Sequence, residues 1–300
     1  MREPAAIIFE PAGMKRVCVF YFSGTGMTKY VVDKFAGELV KRHISVDCFS
    51  IENAAVQSAA LSEYDAFGIA YPIHSFNAPK IVIDYAKQLP KTNGAKTFII
   101  HTAGEDAKVN YASSDLLIKI LKSKGYHVFY NKLIEMPSNF IVKYDDERVG
   151  RILAKANDDI PLVAEEIIGG RPGFLRKSFS SMIITFFGRA EWSGARLIGK
   201  HYHVRNNCTR CGLCAANCPN GNIAMNNKSV GFGWRCGICM RCVYLCPQNA
   251  IGVRQPFKFI RFDKWYDSGA LKLSSAIAKR IGTGYPRDPE DPRDSGGSGD

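Results

Sequence analysis

Eight of the ten cysteines lie between Cys208 and Cys246. They read Cys208-x2-Cys211-x2-Cys214-x3-Cys218-Pro219, then Cys236-x2-Cys239-x2-Cys242-x3-Cys246-Pro247. Each cysteine of the second run stands 28 residues after its counterpart, as Ile251 does after Ile223, so the segment is an internal duplication. This is the spacing of thiolate ligation to iron–sulfur cubanes, each capped by four sulfurs of which three come from one tight loop. The proline turns the chain away after the fourth cysteine, which ligates the other cluster of the pair. Cys208, Cys211, Cys214 and Cys246 are therefore expected to hold one [4Fe–4S] cluster. Cys236, Cys239, Cys242 and Cys218 are expected to hold the other. Gly212 and Gly237 should let the two loops wrap their clusters and aim N–H groups at sulfur.

Pairs of zinc sites also use Cys-x2-Cys. Zinc wants four ligands in two pairs, however, and not two complete four-cysteine runs with terminal prolines. The remaining thiols, Cys18 and Cys48, sit in alternating apolar stretches and are expected in the core.

A second chemistry-bearing stretch is Ser23-Gly24-Thr25-Gly26-Met27-Thr28. It lacks the Gly-Lys-Ser/Thr of a Walker loop and the third glycine of the dinucleotide fingerprint. Two glycines allow close backbone approach, and Ser23, Thr25 and Thr28 offer hydroxyl donors. With the N–H groups of a following helix they would bind a phosphate dianion without metal or arginine.

These residues need elements to position them. Strand-like runs at Arg16 to Phe22, Ser45 to Ile51, Ala66 to Tyr71, Lys96 to His101 and His127 to Ile134 alternate with helix-like segments. The helices are expected at Met27 to Arg42, Pro79 to Gln88, Val109 to Lys124 and Asp145 to Ile168. The order predicts an α/β fold, a doubly wound five-stranded parallel sheet with its ligand site beyond the carboxyl ends of the strands.

The hydroxyl-rich loop after the first strand resembles the FMN-phosphate loop of flavodoxins, with Met27 where asparagine is usual. The resemblance implies that two further loops cup the flavin ring. One carries Pro72, Ile73, His74, Ser75 and Phe76, and the other Thr102, Ala103 and Gly104. Neither loop has a tryptophan, so Phe76 and Tyr111 are the candidate stacking rings. His74, His101 and Glu105 are weak candidates for proton transfer. The paired cysteine runs resemble those of bacterial-type two-cluster ferredoxins, which are small α+β domains. In this order the two halves resemble flavodoxin–ferredoxin fusion proteins, found mainly in anaerobes. The resemblance covers Lys15 to Arg254. It implies one FMN, two [4Fe–4S] clusters and electron transfer as the activity.

The expected organisation is a loose extension over 1–13, a flavodoxin-like domain over 14–170, a basic amphipathic linker over 171–203, a ferredoxin domain over 204–256 and a C-terminal extension over 257–300, disordered after about 285. No secretory signal is visible at the N-terminus, and a cytoplasmic location is expected. The linker carries Phe179, Ile183, Phe186, Phe187, Trp192 and Leu197 among basic residues. Its apolar face is expected to pack between the domains, with peripheral membrane contact the less favoured alternative.

The chain carries a formal net charge of +12. From Val204 to Arg254 there are six Lys/Arg and no Asp or Glu. Such a surface suits an acidic redox partner, either a ferredoxin or an oxidoreductase. No nucleic-acid signature accompanies the basicity, so nucleic acid is not expected as a partner. The favoured role is an electron carrier between FMN, the clusters and a redox protein. The alternative is an FMN-dependent reductase of a small molecule or quinone, fed through the clusters.

Overall fold

The computed structural model describes residues 13–56, 58–140, 143–226 and 229–257. The expected N-terminal and C-terminal extensions, apart from Gly13 and Phe257, lie outside the described residues.

Five parallel strands form the first sheet: β1 (Arg16–Tyr21), β2 (Ser45–Ser50), β3 (Ala66–Pro72), β4 (Lys96–Ala103) and β5 (His127–Glu135). Their order is β2-β1-β3-β4-β5, and every neighbouring pair is parallel. Alternation along β1 splits the core into two layers. Val17 and Val19 face helices α1 (Met27–Lys41) and α4 (Asp146–Ile168). Cys18 and Phe20 face α2 (Lys80–Gln88) and α3 (Asp115–Ser123). This is the doubly wound flavodoxin-like fold, with the chain reversing its direction of winding between β1 and β3. Ligands in such sheets bind at that switch point, and FMN in the 2-1-3-4-5 order is the known case of the rule.

Both thiols outside the paired runs pack as expected. Cys18 is buried, and Cys48 is half-buried against the α1 layer. Burial raises the pKa of both, that of Cys48 to about 12. Helix α3 starts six residues later than its periodicity predicts. The chain there makes a short 3-10 turn at Lys108–Asn110, and the buried Asn110 side chain donates to the Glu105 carbonyl.

Two helices join the halves, α5 (Phe179–Gly188) and α6 (Glu191–Lys200). The expectation that one apolar face packs between the domains is met only by α6. Trp192 packs against the α2–α3 layer, and Ala195 belongs to the core of the second half. Phe179, Ile183, Phe186, Phe187 and Leu197 are exposed. For the four on α5 the reason is that this helix packs through Ser181 and Thr185, small polar residues.

The second half has two short antiparallel sheets. One pairs β6 (Tyr202–Val204) with β9 (Ile251–Val253), and the other β7 (Ile223–Met225) with β8 (Val230–Phe232). Helices α7 (Leu213–Ala216) and α8 (Arg241–Leu245) each follow a cysteine loop. The duplication is visible in the backbone. Left-handed residues recur at the 28-residue offset, Arg210 with Ile238, Gly212 with Met240 and Gly221 with Asn249. Gly237 itself is not left-handed, and the counterpart of Gly212 is Met240. A Cβ at Gly237 would stand 2.9 Å from Asn220 Nδ2, the end of a side chain.

Candidate functional site

The Ser23–Thr28 loop leads from β1 into α1, at the carboxyl edge of the sheet. Ser23 Oγ accepts from the amides of Gly26 and Lys29, which holds the loop as a cap over the helix start. Gly26 is left-handed, with φ of 99°, so the turn needs glycine. Thr28 Oγ1 lies 2.8 Å from Thr102 Oγ1, tying the loop to the end of β4. Thr25 Oγ1 accepts from the Asn139 side-chain amide. The nearby Lys29 ammonium is held by both oxygens of Asp33 at 2.7 Å, in a buried pair. Its charge is thereby satisfied inside α1, and the loop offers hydroxyls and amides to an anion.

A cavity of about 430 Å³ opens over this loop. Ser23, Gly24, Thr25, Met27 and Thr28 line it, with Pro72 to Ser75 after β3 and Thr102 to Gly104 after β4. Gly26 and Phe76 do not line it. Both are structural: Gly26 makes the left-handed turn, and Phe76 points outward, more than a third exposed. Tyr111 is likewise outside the cavity. The size and mixed polar and apolar lining fit a nucleotide-sized cofactor such as FMN.

Of the proton-transfer candidates, only His74 lines the cavity. Burial lowers its pKa to about 4, partly countered by a hydrogen bond to the backbone of Gly237. His101 is fully buried behind the cavity wall. Its Nδ1 lies 3.0 Å from Ser113 Oγ, and burial lowers its pKa to about 3. Glu105 is exposed and outside the cavity.

Three contributors to the cavity were not visible in the motifs: the Met136–Phe140 turn after β5, helix α6, and Ile238 to Met240 of the second cysteine loop. The first could have been anticipated, since Pro137-Ser138-Asn139 is a turn signal at the carboxyl end of a strand. From α6 comes Glu191, a carboxyl group that burial raises to a pKa of about 7. Phe140 places a phenyl ring at a cavity to which the loops after β3 and β4 bring only the His74 imidazole.

The second cysteine loop is fitted directly onto the Ser23–Thr28 loop. A Cβ on Gly24 would stand 2.1 Å from the Cys239 carbonyl oxygen, so only glycine permits the approach. Arg241 Nη2 donates to the Ser23 carbonyl at 2.7 Å, and its guanidinium pairs with Glu52. On the other side, a Cβ on Gly199 of α6 would stand 2.0 Å from Cys236 Cβ.

Within the second half the eight cysteines sort into two sets. A small cavity is lined by Cys208, Cys211, Cys214 and Cys246 together. Burial raises the Cys242 thiol, and the charges that raise it further are those of Cys239, Cys236 and Cys218, with Cys214 weakest. Backbone amides point at sulfur as cluster ligation requires. Asn222 donates to Cys218 Sγ and Ala250 to Cys246 Sγ, both at 3.2 Å and again 28 residues apart. Among the described residues no three metal-ligating side chains converge as a single ion demands. The donor set, four thiols lining a cavity with amides aimed at sulfur, fits a cubane.

An α/β sheet with an anion loop and cavity at its switch point, docked on a duplicated cysteine domain, defines a flavo-iron–sulfur electron-transfer protein. Family models agree: a flavodoxin domain matches residues 18–140, and a 4Fe-4S dicluster domain matches residues 200–247. A flavodoxin domain followed by a 4Fe-4S dicluster domain in one chain is the arrangement of a flavodoxin–ferredoxin fusion. The domains imply FMN and iron–sulfur as cofactors.

Among solved structures the chain is similar to oxidised flavodoxin 2 from Bacillus cereus (17% identity, covering 50% of this chain and 99% of that one, TM-score 0.38). It is also similar to a flavodoxin from the domain Archaea (14% identity, 50% and 99% covered, TM-score 0.34). A third is general stress protein 14 from Treponema denticola, in complex with FMN (11% identity, 51% and 99% covered, TM-score 0.37). No curated protein matches the chain.

Proposed function

We propose that the protein passes electrons between FMN, held in the 430 Å³ cavity, and two [4Fe–4S] clusters, and on to or from an acidic redox protein. The observation that carries this reading is the position of Cys239. It lines the flavin cavity and belongs to a proposed cluster ligand set, so two redox sites share one wall.

When bound, FMN exchanges one or two electrons and each cubane one, and the protein supplies their placement and environment. Ser23, Thr25 and Thr28 would hold the phosphate. Ile73, His74 and Ala103 would face the ring, with α6 closing the cavity against water. Cys236, Cys239, Cys242 and Cys218 would hold the inner cluster beside it. Cys208, Cys211, Cys214 and Cys246 would hold the outer one, and Cys211 is exposed. The outer set thus gives the route to the surface. Exposed Arg205 and Arg210 flank that loop, with no carboxylate from Val204 to Arg254. That charge supports an acidic partner such as a ferredoxin. A reducing, cytoplasmic compartment suits thiolates kept free for iron.

Anaerobic purification tests the cofactor complement, with about eight irons and one FMN expected per chain. Stoichiometric zinc without labile sulfide would overturn it. Oxidation of the reduced protein by an acidic ferredoxin, and not by a basic one, tests the partner class.

A further inference from the structure

Helix α5 presents its large apolar residues to solvent, and Ser181 and Thr185 to the protein. Ser181 and Thr185 are buried at 0% and 2% exposure, whereas Phe179, Phe186 and Phe187 are exposed at 79%, 64% and 70%. Met182 and Ile183 are exposed beside them. The orientation is fixed by specific contacts. Thr185 Oγ1 donates to the Phe76 carbonyl at 3.1 Å, and Asn77 Nδ2 donates to the Thr185 carbonyl at 2.8 Å. A Cβ on Gly188 would lie 2.3 Å from the Ser75 carbonyl oxygen. Ser178 and Ser181 complete a reciprocal cap at the helix start. The inner face is therefore keyed to the Ser75–Asn77 turn, and rotation to bury the phenylalanines would break the contacts of Thr185 and Gly188 with that turn.

The charge on this segment of the chain has one sign. Between Gly169 and Ala190 there are Arg171, Arg176, Lys177 and Arg189, and no Asp or Glu. Arg176 is exposed before the helix, and Arg189 follows it with its guanidinium 5.9 Å from the Phe186 ring. Lys177 is paired with Asp115 at 2.7 Å. The helix itself carries no charged residue. At 10 residues it is about 15 Å long, too short to cross a bilayer. Among the described residues no helix is long and apolar enough to cross one. A short helix with an apolar face and cations at its ends lies flat at a lipid surface.

We propose that α5 seats this protein on an anionic lipid surface. Phe179, Ile183, Phe186 and Phe187 enter the acyl boundary, and Arg176 and Arg189 meet the headgroups. Pairing of this face with a second copy is disfavoured, because a two-fold contact across so short a helix brings like-charged arginines together. The proposal explains why the sequence places its most apolar decad where the fold buries only serine and threonine. It also puts the bilayer one layer from the flavin cavity, since the turn that holds α5 is continuous with the cavity wall at Ile73 to Ser75.

The test is flotation of the anaerobically purified full chain, carrying its cofactors, with two kinds of vesicle. One is phosphatidylcholine alone, and the other is phosphatidylcholine mixed with phosphatidylglycerol. Wild type should float with the mixed vesicles and at least about tenfold less with the neutral ones. Phe186→Ser/Phe187→Ser should lose binding to both, and Arg176→Gln/Arg189→Gln should lose the preference for anionic lipid. FMN and iron contents, unchanged in both variants, report that each is folded. Wild type that floats with neither vesicle overturns the proposal, as does undiminished flotation of the double-serine variant. A wild-type dimer that the same variant makes monomeric, with no flotation, assigns the face to a second copy instead.

Discussion

The Arg241 guanidinium grips the Glu52 carboxylate at two points across the domain junction, Nη1 to Oε2 at 2.5 Å and Nη2 to Oε1 at 2.6 Å. Both side chains are largely buried. The same guanidinium donates to the Ser23 carbonyl of the phosphate loop and stands next in sequence to Cys242. One side chain thus fixes the spacing between the flavin cavity and the inner cysteine set. Arg241→Gln removes a two-point charged contact whose individual hydrogen bonds are worth about 1.5–3 kcal/mol each. Electron transfer from photoreduced flavin to the clusters should slow, with FMN and iron contents unchanged. Glu52→Gln should have the smaller effect, since Arg241 keeps its bonds to backbone carbonyls. An unaltered rate in Arg241→Gln would mean that the junction is held by apolar packing alone.

The phosphate loop gives a separable prediction. Thr25 and Thr28 line the cavity, and their hydroxyls already hydrogen-bond Asn139 and Thr102 at its rim. Replacing both with alanine removes two donors to a dianion, each worth about 1.5–3 kcal/mol, so FMN binding should weaken on the order of a hundredfold or more. Flavin fluorescence titration reads this directly. Iron content should not change, because neither threonine belongs to the cysteine domain. Full retention of FMN would assign the phosphate elsewhere.

How much of this was legible in the sequence depends on how local the signal is. The cysteine runs and the Ser23–Thr28 loop are chemistry written in consecutive residues. The five strands were legible because each is a short apolar or β-branched run between turn signals. What closes the cavity was not legible. Glu191 and Cys239 are brought to the flavin loops by tertiary docking, for which no local pattern exists. Helix α5 departs from its apolar pattern for a related reason. Apolar spacing marks a face that wants cover, but the face actually buried is chosen by Thr185 and Gly188 fitting one turn at Ser75–Asn77. The left-handed residues show the limit from the other direction. Gly212 announces itself, whereas Met240, its structural counterpart, carries no hint of a positive φ.

The contact between Gly199 and Cys236 predicts a selective loss. A methyl group at position 199 would lie 2.0 Å from Cys236 Cβ and 2.7 Å from its Sγ, distances no packed carbon tolerates. Gly199→Ala must therefore push the inner cysteine loop away from α6. The outer set, lining its own cavity through Cys208, Cys211, Cys214 and Cys246, has no such contact. Iron content should fall from about eight to about four per chain, with one cubane signal left on reduction. Loss of both clusters together would show that the sets fold as one unit.

Two buried groups set opposing pH dependences. His101 is buried with a pKa lowered to about 3. An unfolded chain protonates this histidine below about 6.5 while the folded one does not, so its contribution destabilises the fold as pH falls from 6.5 toward 3, by up to about 1.4 kcal/mol per unit. Glu191 behaves in reverse. Burial raises it to about 7, so between its unfolded value of 4.5 and 7 the folded chain keeps a proton that the unfolded chain releases. Its contribution is lost as pH rises through that window. In the overlap the two slopes oppose one another. Relative to wild type, Glu191→Gln should gain thermal stability as pH is raised from 5 to 7, whatever its offset at a single pH. His101→Asn should lose ground over the same interval, because it lacks the recovery that wild type gains as the unfolded-state histidine deprotonates. Anaerobic thermal midpoints at a fixed scan rate measure both. Parallel pH profiles for wild type and Glu191→Gln would place that carboxyl in water, outside the cavity wall.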